Sequence, residues 1–471
     1  MSIDLDRLFD ETDALGIGER VRAGDISAAE AVAAGLRRIA RVEPQLQALC
    51  RPAAAPGEIL RGGPFAGVPF VVKDLMADCA GSTTGVGAAF FADDPPAAAD
   101  SAAVARMRRS GLGIVGRSKS SEFGLAPTTE PRCGGPVRNP WDPALSPGGS
   151  SGGSAALVAA RALPMAHATD GGGSIRIPAA LCGLFGLKPS RGRVSLAPLG
   201  ETLAGAGAQH CVSLSVRDSA ALLDALAGPE PGDPYGIAAP AGSFLDAARR
   251  EPPRLRIALQ RRPTGGPDPG PAVLGAVDEA ASLFAGLGHD VEEARPDWSV
   301  EEIEAALFTV MAANTWTNIG NRAAGRPFDE ADFEPVTWAF ATAGRAMPAA
   351  EYIRAVQAFH RIGRRVGRFF ERFDVLLTPT IARVSLALGA IRTDVALDAF
   401  RDSVVPMIAY TAVCNIAGIP AASLPLAWSD EGLPLGVQIA GRLGDEATLL
   451  ALAAEAERAR PWRGRRPPIT A

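Results

Sequence analysis

Apolar positions along this chain fall into two periods, and their order predicts the fold. Residues 13–24 carry them at helical spacing and stop at Gly24. Ser27-Ala-Ala-Glu30 then forms a capping box, in which each side chain satisfies the other residue's free backbone N–H, and opens a helix to about Val42. In GVPFVVKD, residues 67–74, the spacing changes to a continuous apolar run, a short strand ending on a lysine. Asp100 and Ser101 cap a helix closed by Gly111, and residues 113–116 return as a strand. Helices are expected at 154–162 and 213–226, with strands at 163–167 and 184–187 between them.

Proline and glycine dominate 228–271, interrupted by a helix near 244–250 and a strand at 255–259. A helix at 272–288 and a strand at 289–293 follow, then helical patterns at 300–325, 331–345 and 349–372 that suit a substrate-facing cap. A buried strand at 374–379, a helical stretch at 402–417, strands at 421–427 and 434–440 and a helix at 446–458 complete the chain. This alternation, without an internal repeat, predicts an α/β fold: a single large mixed β-sheet core covered on both faces by helices. The whole chain, 1–471, is expected to be one domain. Its regions would be an N-terminal helical part (1–65), a core carrying the chemistry (66–227), a variable loop and helical part facing substrate (228–373) and a C-terminal return to the sheet (374–471).

Composition narrows the function classes. The chain is 47% hydrophobic and 21% charged, ordinary for a protein with a large core. A net charge of −5 without a basic tract argues against nucleic acid as principal ligand, and RARPWRGRRPP at 458–468 reads as a solvated tail. No apolar run reaches the roughly 18 residues that span a bilayer. The acidic opening MSIDLDRLFDETD lacks the basic-then-apolar pattern of a signal peptide. A cytoplasmic monomer or homodimer without membrane contact is expected. Six scattered cysteines without a C-x-x-C pair, and four histidines without ligand spacing, predict neither a disulfide framework nor a metal site. No cofactor is expected. Only three lysines occur, Lys73, Lys119 and Lys188, in a chain that otherwise uses arginine for positive charge. A lysine kept against that bias points to a role arginine cannot fill, such as losing its proton near neutrality.

The chemistry lies in two glycine-serine clusters, 148–154 and 171–174. Glycines let backbone N–H groups approach a reacting group, and a serine behind three of them sits beside donors able to bind an oxyanion. Neither cluster is followed by the Gly-Lys of a phosphate-binding Walker loop. The first lacks the preceding strand of a dinucleotide fingerprint. Gly149-Ser-Ser151-Gly-Gly153 matches a nucleophile elbow formally, but no histidine stands in a context that would complete a Ser–His–Asp enzyme. Lys73, carried on an apolar strand, would be desolvated and its pKa lowered if the strand enters the core; on an edge it would reach solvent.

GVPFVVKD at 67–74, GGSSGGS at 148–154, TDGGGSIRIPAALCGLFGLKPSRGRV at 169–194, DVLLTPT at 374–380 and GIPAASLPLAWSDEGLPLGVQIAGRLGDEATLL at 418–450 together resemble the amidase signature family, serine hydrolases with a Ser–cis-Ser–Lys triad. The resemblance spans nearly the whole chain and is weakest over 228–370. It implies Ser174 as nucleophile, Lys73 as ultimate base and Ser150, after a cis peptide and 24 residues before Ser174, as proton relay. It also implies an oxyanion hole from the N–H groups of Gly171, Gly172, Gly173 and Ser174, with Ser151, Thr169, Asp170 and Arg176 bracing the site. Two departures stand out. Gly171 replaces a β-branched residue and should loosen that wall or widen the acyl pocket. Gly116-Arg-Ser-Lys119 replaces the family's G-K-T-N, with Lys119 expected as a surface charge rather than a pocket residue.

The resemblance implies an amidase cleaving a carboxylic amide to acid and amine, with a small-molecule amide or carbamate as partner. The alternatives are the amidase subunit of a tRNA-dependent amidotransferase and a non-catalytic binding protein; retention of Lys73 and both serines ranks the latter last. TTEPRCGGPVRNPW at 128–141 and AHATDGGGSIRIP look closest to the branch that includes hydrolases of aminohexanoate oligomers, while aryl-amide and carbamate (urethane) hydrolases share the wider family. With 6% aromatic residues and no evident aromatic cage, a medium to bulky, largely uncharged amide, anilide or carbamate is expected.

Overall fold

The computed structural model describes residues 3–471. Among them the strands are β1 (Pro69–Lys73), β2 (Gly113–Ser118), β3 (Met165–Asp170), β4 (Phe185–Lys188), β5 (Ala208–Ser213), β6 (Arg256–Leu259), β7 (Asp290–Glu293), β8 (Val375–Pro379), β9 (Ala421–Trp428) and β10 (Pro434–Gly441). Eight of these form the expected mixed sheet, in the order β3-β5-β4-β9-β10-β8-β6-β7. Its pairings are antiparallel from β3 across to β8 and parallel through β6 and β7. Every residue of β3, β4 and β8 is buried, because helices cover both faces; β8 (VLLTP) therefore runs largely apolar without alternation, whereas β3 (MAHATD) and β4 (FGLK) bury His167, Thr169, Asp170 and Lys188 as well. β1 and β2 form a separate parallel ladder with Lys73 opposite Ser118. A side chain ties this pair to the main sheet: His167 on β3 accepts the backbone N–H of Lys73 at 3.2 Å.

The helices follow the sequence signals. Ser27 and Glu30 form the capping box of helix Ala28–Leu46, which outlasts the expected end because Val42 and Leu46 remain buried. Helix Ala349–Arg372 buries Ala355, Phe359, Ile362, Val366 and Phe370, a single stripe at three- and four-residue spacing. It packs on helix Val300–Ala323. Helix Gly152–Ala159, which leaves the first glycine-serine cluster, is buried on all sides. Small residues make that possible: a Cβ on Gly153 would lie 2.5 Å from the Ala48 carbonyl oxygen.

Two stretches differ from the sequence reading. Residues 208–213 are a strand, and the helix begins only at Val216. Their sequence, AQHCVS, hides the strand because its polar residues are buried with partners. The Gln209 amide donates to the Ser195 carbonyl at 2.8 Å, and the His210 ring lies 2.9 Å from the Ser219 hydroxyl. The expected helix at 402–417 divides into Leu397–Ile408 and Ala412–Ala417. At the break, the Thr411 carbonyl accepts from the guanidinium of Arg176 at 2.9 Å. Among the described residues no helix is long and apolar enough to cross a membrane.

Candidate active site

The first glycine-serine cluster is a backbone device. Its Gly149–Ser150 peptide is cis, as the family resemblance implied. Thr129 threads the loop: its hydroxyl donates to the Gly148 carbonyl at 2.9 Å and accepts the Gly152 N–H at 2.9 Å. A Cβ on Gly149 would come 2.1 Å from the Thr128 carbonyl oxygen, so the loop closes this tightly only with glycine. Ser151 braces it from the other side, its hydroxyl donating to the Thr169 carbonyl at 3.2 Å.

Lys73 ends β1 fully buried, with Nζ 2.7 Å from Ser150 Oγ and 2.8 Å from Thr169 Oγ1. Burial lowers its pKa to about 7, against the opposing pull of the Asp170 carboxylate. A large share of the amine is therefore neutral near pH 7 and can accept a proton. The backbone of this lysine is fixed by His167, which sequence reading passed over. Burial, then the nearby Lys73 charge, lowers the His167 pKa to about 3, so the ring is neutral. With Nδ1 accepting from Lys73, Nε2 carries the proton and donates to Gln209 Oε1 at 3.3 Å.

The second cluster joins β3 to helix Arg176–Cys182, and Ser174 sits half-buried at its end. Asp170 and Arg176, both fully buried, hold the loop by a two-pronged ion pair of 2.9 and 3.0 Å. Burial alone would raise the Asp170 pKa; Arg176 outweighs it and holds the carboxyl at about 2. Asp170 also accepts the Ile175 N–H at 3.1 Å, which folds the chain back just beyond Ser174. Three residues from the far end of the sequence complete the clamp. Asn415 donates to the Asp170 carboxylate at 2.8 Å, Gln438 accepts from Arg176 at 2.7 Å, and the Thr411 hydroxyl donates to the Gly172 carbonyl at 2.6 Å. That last bond turns the Gly172 carbonyl toward Thr411. Gly173 has φ +142°, and a Cβ there would lie 2.5 Å from Thr411 Oγ1. The site thus gathers Lys73, Ser150, Ser151, Thr169, Asp170, Arg176 and the loop of Gly171, Gly172, Gly173 and Ser174. Signals for Asn415, Thr411 and Gln438 were absent, since each is an isolated polar residue in an apolar stretch.

Two expectations are corrected. Gly171 does not widen the wall: a Cβ there would lie 2.7 Å from Leu203 Cδ1, so a leucine from a neighbouring turn fills the space a β-branched side chain would take. Lys119 is not a surface charge. It is 7% exposed and donates through Nζ to the Gly134 carbonyl. Six aromatic residues, Phe90, Phe91, Phe123, Phe328, Phe333 and Trp338, form one edge-and-stack cluster. Gly124, the residue after Phe123, lies against the site: a Cβ there would come 3.1 Å from Ser150 Oγ.

A helix-covered mixed sheet, with a buried lysine against one serine and a second serine behind three glycines, defines a class: hydrolases of the carbon–nitrogen bonds of amides. The chain belongs to the amidase family, whose model matches residues 30–450. It is 36% identical over 480 residues to a 6-aminohexanoate-cyclic-dimer hydrolase of Paenarthrobacter ureafaciens, covering 97% of this chain and 96% of that one. The solved structure of a 6-aminohexanoate cyclic dimer hydrolase complexed with substrate superposes with a TM-score of 0.92 at 34% identity over the full length of both chains. A bacterial aryl acylamidase of the amidase signature family superposes at 0.85, with 26% identity and 96% of each chain covered.

Proposed function

We propose that the chain hydrolyses a medium to bulky, largely uncharged amide through an acyl-enzyme on Ser174. The observation that carries this reading is the buried Lys73 amine, brought near neutrality and placed 2.7 Å from Ser150 Oγ. Ser174 Oγ attacks the carbonyl carbon while its proton passes to Ser150 and on to Lys73 Nζ. The N–H groups of Gly171, Gly172, Gly173 and Ser174 receive the developing oxyanion; the loss of one such donor typically costs about 3–4 kcal/mol of barrier. Collapse breaks the C–N bond, and the proton returns through Ser150 to the leaving nitrogen. Water then repeats the sequence on the ester, releasing the acid and restoring Ser174. The cycle requires no metal or cofactor.

Apolar groups around the glycine loop support an uncharged substrate: Leu203 at Gly171, and Leu307 of helix Val300–Ala323, whose Cδ2 lies 3.4 Å from a Cβ built on Gly172. The helices of the 228–373 region would then serve as the substrate-facing cap of a single domain. The relatives named above favour a freestanding hydrolase over an amidotransferase subunit, and bring cyclic or oligomeric aminohexanoate amides and anilides to the head of the substrate search; carbamates and esters follow. The test is a screen of purified protein alone against these four classes, with Ser174→Ala as control. Turnover of an amide or anilide lost in the variant is expected. An S174A protein that stays active would sink the mechanism, and activity on glutamine alone would favour the subunit reading.

A further inference from the structure

A cavity of about 570 Å³ lies beside the β1–β2 pair, lined by none of Lys73, Ser150 and Ser174. That volume falls within the range of about 300–1,000 Å³ usual for ligand pockets. Its wall carries four cations and one carboxylate, Asp74. Two of the cations are already paired, Arg108 with Asp100 at 2.8 Å and Arg51 with Asp93 at 3.4 Å, which leaves Arg117 and Lys119. Asp74 is already committed: it accepts Arg117 Nε at 3.1 Å and the N–H groups of Gly85 and Gly87 at 2.9 and 3.2 Å. Arg117 is 7% exposed, and its Nη2 donates to the carbonyls of Lys73 and Ala77 at 3.2 and 2.9 Å. Its Nη1, equally buried, has no partner among the described residues. An unmet buried guanidinium N–H is costly, and of those unpartnered among the described residues Nη1 of Arg117 is a terminal nitrogen, the others being the Nε atoms of Arg161, Arg193, Arg322 and Arg365. Lys119, the other buried cation, gives the Gly134 carbonyl one strong hydrogen bond, and an ammonium has three donors. The rest of the wall includes apolar surface from Pro52, Ala54, Ile114 and Val115.

We propose that this cavity binds a small organic carboxylate, its anionic end held by Arg117 and Lys119 and its hydrocarbon body on the apolar wall. The acid released by amide hydrolysis belongs to this chemical class, but the site stands on its own lining and is tested without turnover. Cys50 and Cys133 also line the cavity; burial raises the Cys50 thiol well above its ordinary range, so the partly exposed Cys133 serves as the reporter of occupancy. The experiment uses the full chain as Ser174→Ala and follows iodoacetamide alkylation of Cys133 by peptide mass spectrometry, with hexanoate as probe. Saturable slowing is expected, reaching about tenfold at roughly ten times the dissociation constant. Hexanamide (same body, no charge) and inorganic phosphate (charge, no body) should protect far less. Lys119→Gln should abolish protection, and so should Ala54→Trp, which fills the cavity from an exposed loop without touching a charge. The proposal is overturned by no saturable slowing up to about 100 mM, a hundredfold above a millimolar dissociation constant. Equal protection by hexanamide, equal protection by phosphate, or protection surviving in both variants overturns it as well.

Discussion

All three lysines of this chain are buried, and in each burial lowers the pKa: to about 7 for Lys73, to about 8 for Lys188, and downward for Lys119. The bias toward arginine was therefore readable as chemistry, since an arginine at Lys73 would keep its proton throughout the working range. A testable sign follows. The protonated amine has no lone pair, so kcat/KM should be flat above about 7 and fall about tenfold per pH unit below it. Glu122, which burial and the neighbouring Glu334 raise to about 7, titrates in the same window. The profile is therefore measured in Glu122→Gln as well. An acid limb that persists there belongs to the lysine, and one that vanishes removes Lys73 from the role of base. What the sequence could not reveal at this scale is His167: a lone histidine on an apolar strand gives no sign that its Nδ1 will hold a lysine backbone.

At the scale of elements, the two glycine clusters were legible as loops that carry serines, but not the separate reason for each glycine. Gly173 has φ +142° and no room for a Cβ, whereas a Cβ on Gly172 would make an ordinary 3.4 Å contact with Leu307. Gly173→Ala should therefore displace the oxyanion donors and lower kcat by roughly 10²–10³-fold, while Gly172→Ala stays within about tenfold. Gly171→Val should be poor alone and recover when paired with Leu203→Ala, because the two side chains compete for one space. Steady-state kinetics of the four variants checks this; equal losses at 172 and 173 would refute the steric account. The strand at 208–213 escaped the sequence pattern for a related reason, since buried polar residues satisfied by tertiary partners erase the period on which strand assignment rests.

Across the whole molecule, one buried network makes the site depend on chain segments more than 230 residues apart: Arg176 reaches Thr411, Asn415 and Gln438, and Asn415 returns to Asp170. Local motifs reveal the first half of that network and cannot reveal the second, because closing the sheet through β9 and β10 is what brings them together. Removing one partner of a buried ion pair strands the other charge. Arg176→Met should thus cost about 3–5 kcal/mol, and Arg176→Met with Asp170→Asn distinctly less than that. The pH dependence has a definite sign. Asp170 is held at about 2 in the fold against an ordinary value of 3.8, so its stabilisation is complete above 3.8 and is lost as pH falls through about 2. Urea unfolding near neutrality, and then stepwise from 3.8 to about 2, should show the wild type losing stability across that window. The double variant should lack this component of the slope. An unchanged acid slope in the double variant would place the acid sensitivity elsewhere, and a single variant as stable as wild type would show that this clamp is not what holds Ser174 in place.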